Sequence, residues 1–281
     1  MVETTFFWNF FIPDYTTNSY TTLHQIPLVS EPRKSRKIDQ PLEFSKILNI
    51  SHQGLLEYYV QLVKASISMK NGIQKILNPL EATTSSELQK IIDSHQDMAL
   101  ETCTNCPGTD FLDGEDLEVF LDYCSFSHTW IDKIWLKSEK SEEKSIIDLG
   151  DENLEEKVLS AFQTHLNSTI IPSFTRLQLN IFEYAALKAL CIWKLGVHDS
   201  TMTMKILGHE HYIGVTSALR RYYKLSTDME PVEIATRIAE ITLQIGPIFV
   251  MYREMMEVYG KLGIGSRMEN QAEEEHNDVG S

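Results

Sequence analysis

Residues 177–195 read LQLNIFEYAALKALCIWKL. The run contains neither Gly nor Pro, and its apolar residues fall around the whole helical circumference rather than along one stripe. A helix of that kind must be covered on several sides. A two-layer bundle would leave part of it wet, whereas a three-layer helical sandwich would not. The stretch therefore predicts an all-α fold with this helix in the middle layer. Its acid, Glu183, sharpens the expectation. A carboxylate beside Ile181, Phe182 and Tyr184 needs either a cationic partner or a capping role, because burying it alone is expensive. Asn180, three residues earlier, offers the capping arrangement. Arg237, the basic residue on the last helix before its kink, offers the ion pair.

The rest of the chain supplies material to cover such a helix. Of its 281 residues 42% are hydrophobic and 23% charged, a balance that supports a packed core. From residue 51 onward the period is helical almost throughout, giving about eight helices and almost no strand. SHQGLLEYYVQLVKASISMKNGIQKIL starts at Ser51, whose hydroxyl can cap the first turn, and SSELQKIIDSHQDMALETC follows. In DGEDLEVFLDYCSFSHTWIDKIWL the residues Leu117, Leu121, Cys124, His128, Ile131 and Trp135 alternate at spacings of four and three, one helix face with Asp113 as its cap. KSEKSEEKS (137–145) reads as a charged loop. A further helix runs through Leu154, Val158, Phe162 and Leu166 and ends at IPSF. The last helix spans 231–262, with Pro231 in its first turn. Its seam of Ile234, Ile238, Ile241, Ile245, Ile248, Tyr252, Met255, Tyr259 and Leu262 is interrupted by Gly246-Pro247, where a kink is expected. That seam suits the side of a helix in a thick bundle, an oligomer interface, or both.

Residues 1–50 differ. They hold four of the nine prolines (Pro13, Pro27, Pro32, Pro41) and read as an irregular leader. Within it Arg33, Lys34, Arg36 and Lys37 form either a nuclear-import patch or a solvated linker. The tail 266–281 is polar and acidic, with the composition of a disordered segment. Between them, 51–265 forms the expected folded domain. No stretch reaches the roughly 18–20 uninterrupted apolar residues of a spanning helix, and no basic region precedes the N-terminal apolar run, so the expectation is a protein that does not enter a membrane.

Several functions are disfavoured. A formal net charge of −15 repels phosphate backbones. Four cysteines make no disulfide scaffold. The nucleophile-elbow, phosphate-loop and metalloprotease motifs are missing, and the carboxylates fall in helix first turns and charged loops, so no catalytic residue is assigned. Cys103, Cys106, Cys124 and His128 have the spacing of a four-ligand zinc site, but Cys124 and His128 lie on an apolar stripe where a small hydrophobe and a hydrogen-bonded core histidine are the usual occupants. Neither metal nor cofactor is assigned, and a zinc-stabilised helical protein stands as an alternative. His209 and His211, two apart, diverge on a helix and read as surface or partner-facing residues.

LQLNIFEYAALKALCIWKL, GHEHYIGVTSALRRYY and PVEIATRIAEITLQIGPIF together resemble, in order and spacing, the second half of nuclear hormone receptor ligand-binding domains, with the nearest likeness to the divergent type expanded in nematodes. Glu183-Tyr184-Ala185 and Leu187-Lys188-Ala189 match that family's E-[FY]-A-x-L-K-A helix. Ala218-Leu219 with Tyr222 match A-L-x-x-Y, and Arg237-Ile238-Ala239-Glu240 with Pro247 match its R-[IF]-[AG]-E-[IL] helix. FLDGEDLEVFL (111–121) is similar, more loosely, to the signature L-[ST]-x-x-D-[QK]-x-x-L-L, with Asp116 and Leu117 in register. The likeness covers roughly 90–265. It implies a three-layer antiparallel α-helical sandwich, a buried pocket for a small apolar ligand, transcription regulation in the nucleus, and a salt bridge from Glu183 to Arg237. The expected pocket residues are Met98, Phe126, Trp130 and Phe249. The expected interface with a second copy or another nuclear receptor is Ile248, Tyr252, Met255 and Tyr259, and a co-regulator is a further expected partner. The sequence departs from the family in three places. Four cysteines cannot build an eight-cysteine DNA-binding module, so no direct DNA contact is expected of this chain. The apolar–acid–apolar activation helix has no match after Leu262, and Asp122 stands where the groove carries a basic residue. The alternative without a ligand is the same fold with a collapsed pocket, acting as an interaction scaffold.

Overall fold

The computed structural model describes residues 43–70, 78–139, 153–194 and 201–264. The basic patch at 33–37, the tail 266–281 and most of the charged loop lie outside these residues.

The first described element is a hairpin of two short strands, β1 (Phe44–Ser45) and β2 (Ile50–Ser51), paired antiparallel with Phe44 opposite Ser51. Helical periodicity cannot reveal strands this short. β2 runs directly into α1 (His52–Lys70), and the Ser51 hydroxyl accepts the Gly54 N–H at 3.0 Å, as the expected cap requires. α2 spans Ser85–Asn105 and is capped by Thr84. α3 spans Gly114–Phe126, and Asp113 Oδ1 accepts the Asp116 N–H at 2.9 Å. A π-turn over Ser127–Ile131 joins α3 to α4 (Asp132–Glu139). Of the face expected along this stretch, Cys124, His128, Ile131 and Trp135 are buried and Leu117 and Leu121 only partly covered, while Asp116, Phe120 and Tyr123 are buried beside them.

α5 (Leu154–His165) opens with a reciprocal Asn153/Glu156 cap and passes through a second π-turn, Leu166–Ile170, into α6 (Ile171–Leu177). The expected stop at IPSF is wrong. Pro172 falls in the first turn of α6, where a missing N–H breaks no ladder bond, and the helix ends instead at Gln178 in the left-handed conformation (φ 47°). α7 is Ile181–Lys194, α8 is Met202–Ser226, α9 is Pro231–Leu243 and α10 is Ile245–Leu262. The kink expected around Gly246-Pro247 falls at Gln244, which joins α9 to α10. Pro247 has no N–H to offer the carbonyl of Leu243, and Ser173 Oγ pins the joint by donating to Gln244 Oε1 at 2.7 Å. Taken together, α9 and α10 are long and apolar enough to cross a membrane by length and composition alone, but Ile234, Ile238, Ile241, Ile248, Met251, Met255 and Val258 lie in the core.

The helices form three layers. α1 and α2 make the first; α3–α4, α7 and α8 the middle; α5–α6 and α9–α10 the third. α7 packs against α1 on one side, α9 and α10 on the other, and α3 and α8 within its own layer. From Tyr184 to Trp193 it is buried throughout, as an apolar circumference demands. Two glycines let α8 come close. A Cβ at Gly208 would meet the Trp193 carbonyl oxygen at 2.8 Å, and one at Gly214 would meet Leu55 Cδ2 at 2.6 Å, so a larger residue at Gly208 would push α8 off the α7 backbone and one at Gly214 would force the Leu55 side chain to shift.

Candidate functional site

The interior of the sandwich carries three polar constellations. At the start of α7, Glu183 accepts from four donors. Its Oε2 takes the Asn180 N–H at 2.8 Å, while Asn180 Oδ1 receives the Phe182 and Glu183 N–H groups at 2.9 and 3.1 Å. This is the capping arrangement. Arg237 Nε donates to Glu183 Oε1 at 2.7 Å and Nη2 to Oε2 at 3.0 Å, and Tyr223 OH donates to Oε1. Arg237 Nη2 also reaches the Leu177 carbonyl at 2.7 Å. Capping and ion pairing are thus one arrangement, joining α7, α8 and α9. Burial alone would raise the Glu183 carboxyl; the Arg237 and Tyr223 donors outweigh it and hold the group below the usual range.

The second constellation lies deeper and was not anticipated. Lys188, fully buried on α7, donates to both oxygens of Asp132 at 2.9 Å and to His128 Nδ1 at 3.2 Å. Tyr184 OH donates to Asp132 Oδ1 at 2.5 Å. The histidine tautomer follows from the donors around it. The Thr102 hydroxyl gives its proton to the Met98 carbonyl at 2.8 Å, so it must accept from His128 Nε2–H at 2.9 Å. Nδ1 is then the acceptor for Lys188. Burial and the Lys188 charge push His128 down to about 4, so it is neutral. Burial would raise Asp132, but Lys188 and His128 hold it well below the carboxylate range. The network spans α1 (Ser66), α2, the π-turn, α4 and α7. Its sequence signal was Lys188 itself: a cation midway along a helix with no solvent face requires a buried acid.

A third buried relay runs from Trp193 Nε1–H to Tyr59 OH (2.8 Å), from Tyr59 OH to His211 Nδ1 (2.9 Å), and from His211 Nε2–H to the Pro107 carbonyl (2.8 Å). His211 is therefore a core residue, not the surface residue its spacing suggested, and burial lowers it to about 3. His209 is exposed. The zinc alternative fails on geometry. Both His128 nitrogens are committed, one beside a cation, and Cys106 Sγ lies 3.3 Å from Tyr59 OH. Among the described residues no three His, Cys, Asp or Glu side chains are placed to hold a metal.

The structure places the four residues assigned to a ligand as follows. Met98 belongs to the polar network, its Sδ accepting from Ser66 Oγ at 3.2 Å. Phe126 and Trp130 both face α10: Phe126 packs edge-on to Tyr252, and Trp130 packs edge-on to Phe162 and donates from Nε1 to Tyr259 OH at 2.8 Å. Phe249 is half-buried on α10. A cleft of about 270 Å³ between α8 and α9 is lined by Arg220, Lys224, Pro231, Ile234 and Ala235, none of them among the four. The interface seam needs a correction. Ile248 (0% exposed) and Met255 (3%) are covered by the chain's own core, and Tyr252 and Tyr259 are engaged by Phe126, Tyr123 and Trp130. On other sides of the rod Leu243, Val250 and Met256 are exposed.

No family model matches the sequence. Among curated proteins, it is 43% identical over 224 residues to nuclear hormone receptor family member nhr-217 of Caenorhabditis elegans, covering 79% of this chain and 56% of that protein. It is 37% identical over 236 residues to family member nhr-169 of the same organism, covering 83% and 62%. It is 36% identical over 220 residues to nhr-89, also of Caenorhabditis elegans, covering 78% and 68%. The chain thus spans between about half and two thirds of the length of these relatives, which are receptors rather than enzymes. With an identity above one third over about four fifths of the chain, the chain belongs to the nuclear hormone receptor family.

Proposed function

We propose that the chain is a ligand-binding-domain regulator of transcription, acting in the nucleus through a small apolar ligand and a dimer partner. The observation that carries this reading is the sequence identity to nuclear hormone receptors over about four fifths of the chain. The interior is suited to it: Phe126 and Trp130 from the middle layer face the aromatic residues of α10, so an apolar molecule entering there would touch the rod that also carries the exposed face. The dimer partner, a second copy or another nuclear receptor, would use Leu243, Val250 and Met256 rather than the buried seam. A co-regulator remains a further partner on this reading. No DNA contact is assigned to the chain, whose net charge of −15 opposes it. Native mass spectrometry of the purified protein tests both halves. A co-purified apolar molecule and a dimer are expected, and Val250→Glu should shift sedimentation toward the monomer. A ligand-free monomer at tens of micromolar would sink the reading.

The competing reading is a ligand-independent scaffold, favoured by the complete burial of Trp130 (0% exposed) and its hydrogen bond inside the core. It requires that no apolar molecule be found with the protein while the dimer persists.

A further inference from the structure

The cleft of about 270 Å³ between α8 and α9 takes no part in the three buried constellations. Its wall is unusual for a chain with 40 acids against 25 bases, because two of its five lining residues are cations. Arg220 and Lys224 stand four apart on α8, so both side chains rise from one helix face. Both are exposed, and among the described residues neither side chain has an ion pair or hydrogen bond.

Unpaired surface cations are ordinary; these two differ in bordering a cleft. Lys224 has a local role, since in the last turn of α8 it offsets the negative end of the helix dipole. Arg220 lies more than one turn from that end, where the effect has faded. Acids are at hand around the turn between the helices: Asp228, Glu230 and Glu233, all exposed. None of them pairs with Arg220 or Lys224, and Glu233 turns back to accept the Glu230 N–H at 2.8 Å. The cleft therefore keeps a positive rim that its own surroundings leave unpaired.

The facing wall is apolar. Pro231, Ile234 and Ala235 come from the first turns of α9, and Ile234 is only 2% exposed. An inorganic anion would engage the cations and leave this wall wet. Sites that enclose a small molecule run to roughly 300–1,000 Å³. This cleft is smaller and suits side chains presented by another surface.

We propose that the α8–α9 cleft docks an acidic segment of a partner protein, with a carboxylate between Arg220 and Lys224 and a neighbouring apolar side chain against Pro231, Ile234 and Ala235. Complementary charge selects the partner and speeds the encounter, while the apolar wall supplies the contact that a bare anion lacks. The inference stands apart from the ligand reading and from the face carrying Leu243, Val250 and Met256.

The test uses the full purified chain and three short, capped, fluorescent peptides, in which leucine alternates with glutamate, leucine with lysine, and serine with glutamate. Anisotropy reads binding. The glutamate–leucine peptide should bind best, and raising sodium chloride from about 50 to about 300 mM should weaken it severalfold. Arg220→Ala with Lys224→Ala should cost about three- to tenfold in affinity, as expected of two exposed charge pairs. Ala235→Glu, an exposed change that sets a like charge on the apolar wall, should weaken binding similarly. Lys205→Ala with Arg253→Ala removes the same charge from exposed positions elsewhere and should stay within about twofold of wild type. Equal binding of the glutamate–leucine and lysine–leucine peptides, or unchanged affinity without Arg220 and Lys224, would overturn the docking site. A glutamate–serine peptide that binds as well as glutamate–leucine would replace it with a bare anion site. Should the paired alanines instead turn a wild-type dimer into a monomer in sedimentation, the occupant is a second copy and the partner proposal falls.

Discussion

Replacing Lys188 with Met removes one half of the most deeply buried ion pair among the described residues. Lys188 contacts both Asp132 oxygens at 2.9 Å, and the two side chains are 0% and 4% exposed. The variant would leave the Asp132 carboxylate inside the core with the Tyr184 hydroxyl as its main donor. Breaking one partner of such a pair costs about 3–5 kcal/mol, which for a domain of this size lowers the melting temperature by roughly 6–20 °C. Methionine preserves most of the lysine volume, so little of that loss arises from a cavity. The decisive comparison adds Asp132→Asn in the same chain. With both charges gone, the amide oxygen introduced by that substitution would still accept from Tyr184, and the double variant should recover at least about 2 kcal/mol relative to Lys188→Met. Urea denaturation followed by far-UV circular dichroism measures all three proteins. A Lys188→Met variant within about 1 kcal/mol of wild type, or a double variant as unstable as the two single losses added, would refute the pairing as an energetic unit.

Three other outcomes follow from the same structure. His128 and His211 are held neutral near 4 and 3, below the roughly 6.5 of an unfolded histidine, so the unfolded chain binds more protons as pH falls. Stability should be fully present above about pH 6.5 and decline toward pH 4 by roughly 2–3 kcal/mol per pH unit, with His211→Gln reducing that slope by about half; a flat profile would contradict the burial. Arg237→Ala should cost about 2–3 kcal/mol, less than the full penalty because Tyr223 and Asn180 still reach Glu183, whereas an exposed Lys205→Ala should lie within about 0.5 kcal/mol of wild type; thermal unfolding separates them. Gly208→Ala should destabilise by about 1–3 kcal/mol through its clash with the Trp193 carbonyl, while Gly260→Ala, with nothing within 4 Å of the added carbon, should stabilise by about 0.5–1 kcal/mol.

The sequence was legible where periodicity and capping carry local information. The middle-layer placement of α7, the Ser51 and Asp113 caps, the break near Pro247 and the meeting of Glu183 with Arg237 follow from apolar circumference, short polar side chains, missing N–H groups and the need to neutralise a buried acid. It was illegible around the first π-turn. A face counted straight from Leu117 to Trp135 meets buried residues at Cys124, His128, Ile131 and Trp135, but around the π-turn at Ser127–Ile131 the buried set widens to Ser127, Thr129, Trp130 and Asp132 as well. Asp132 was hidden for that reason, and with it the partner of Lys188. The α10 seam was correctly located along the helix, but a stripe of apolar residues does not say whether its cover comes from the same chain or another. Here the cover is the chain's own Phe126, Trp130 and Tyr123.

Glu183 also bears on how the molecule opens. Its carboxylate is at once the cap of α7 and the dock for Arg237 of α9 and Tyr223 of α8. Lifting α9 from the sandwich therefore strips the Arg237 donors from the same carboxylate that holds the first turn of α7. In amide hydrogen exchange the protection of Asn180 and Glu183 at the entrance of α7 should rise and fall with that of α9, so that two segments roughly fifty residues apart in the chain exchange as one cooperative unit.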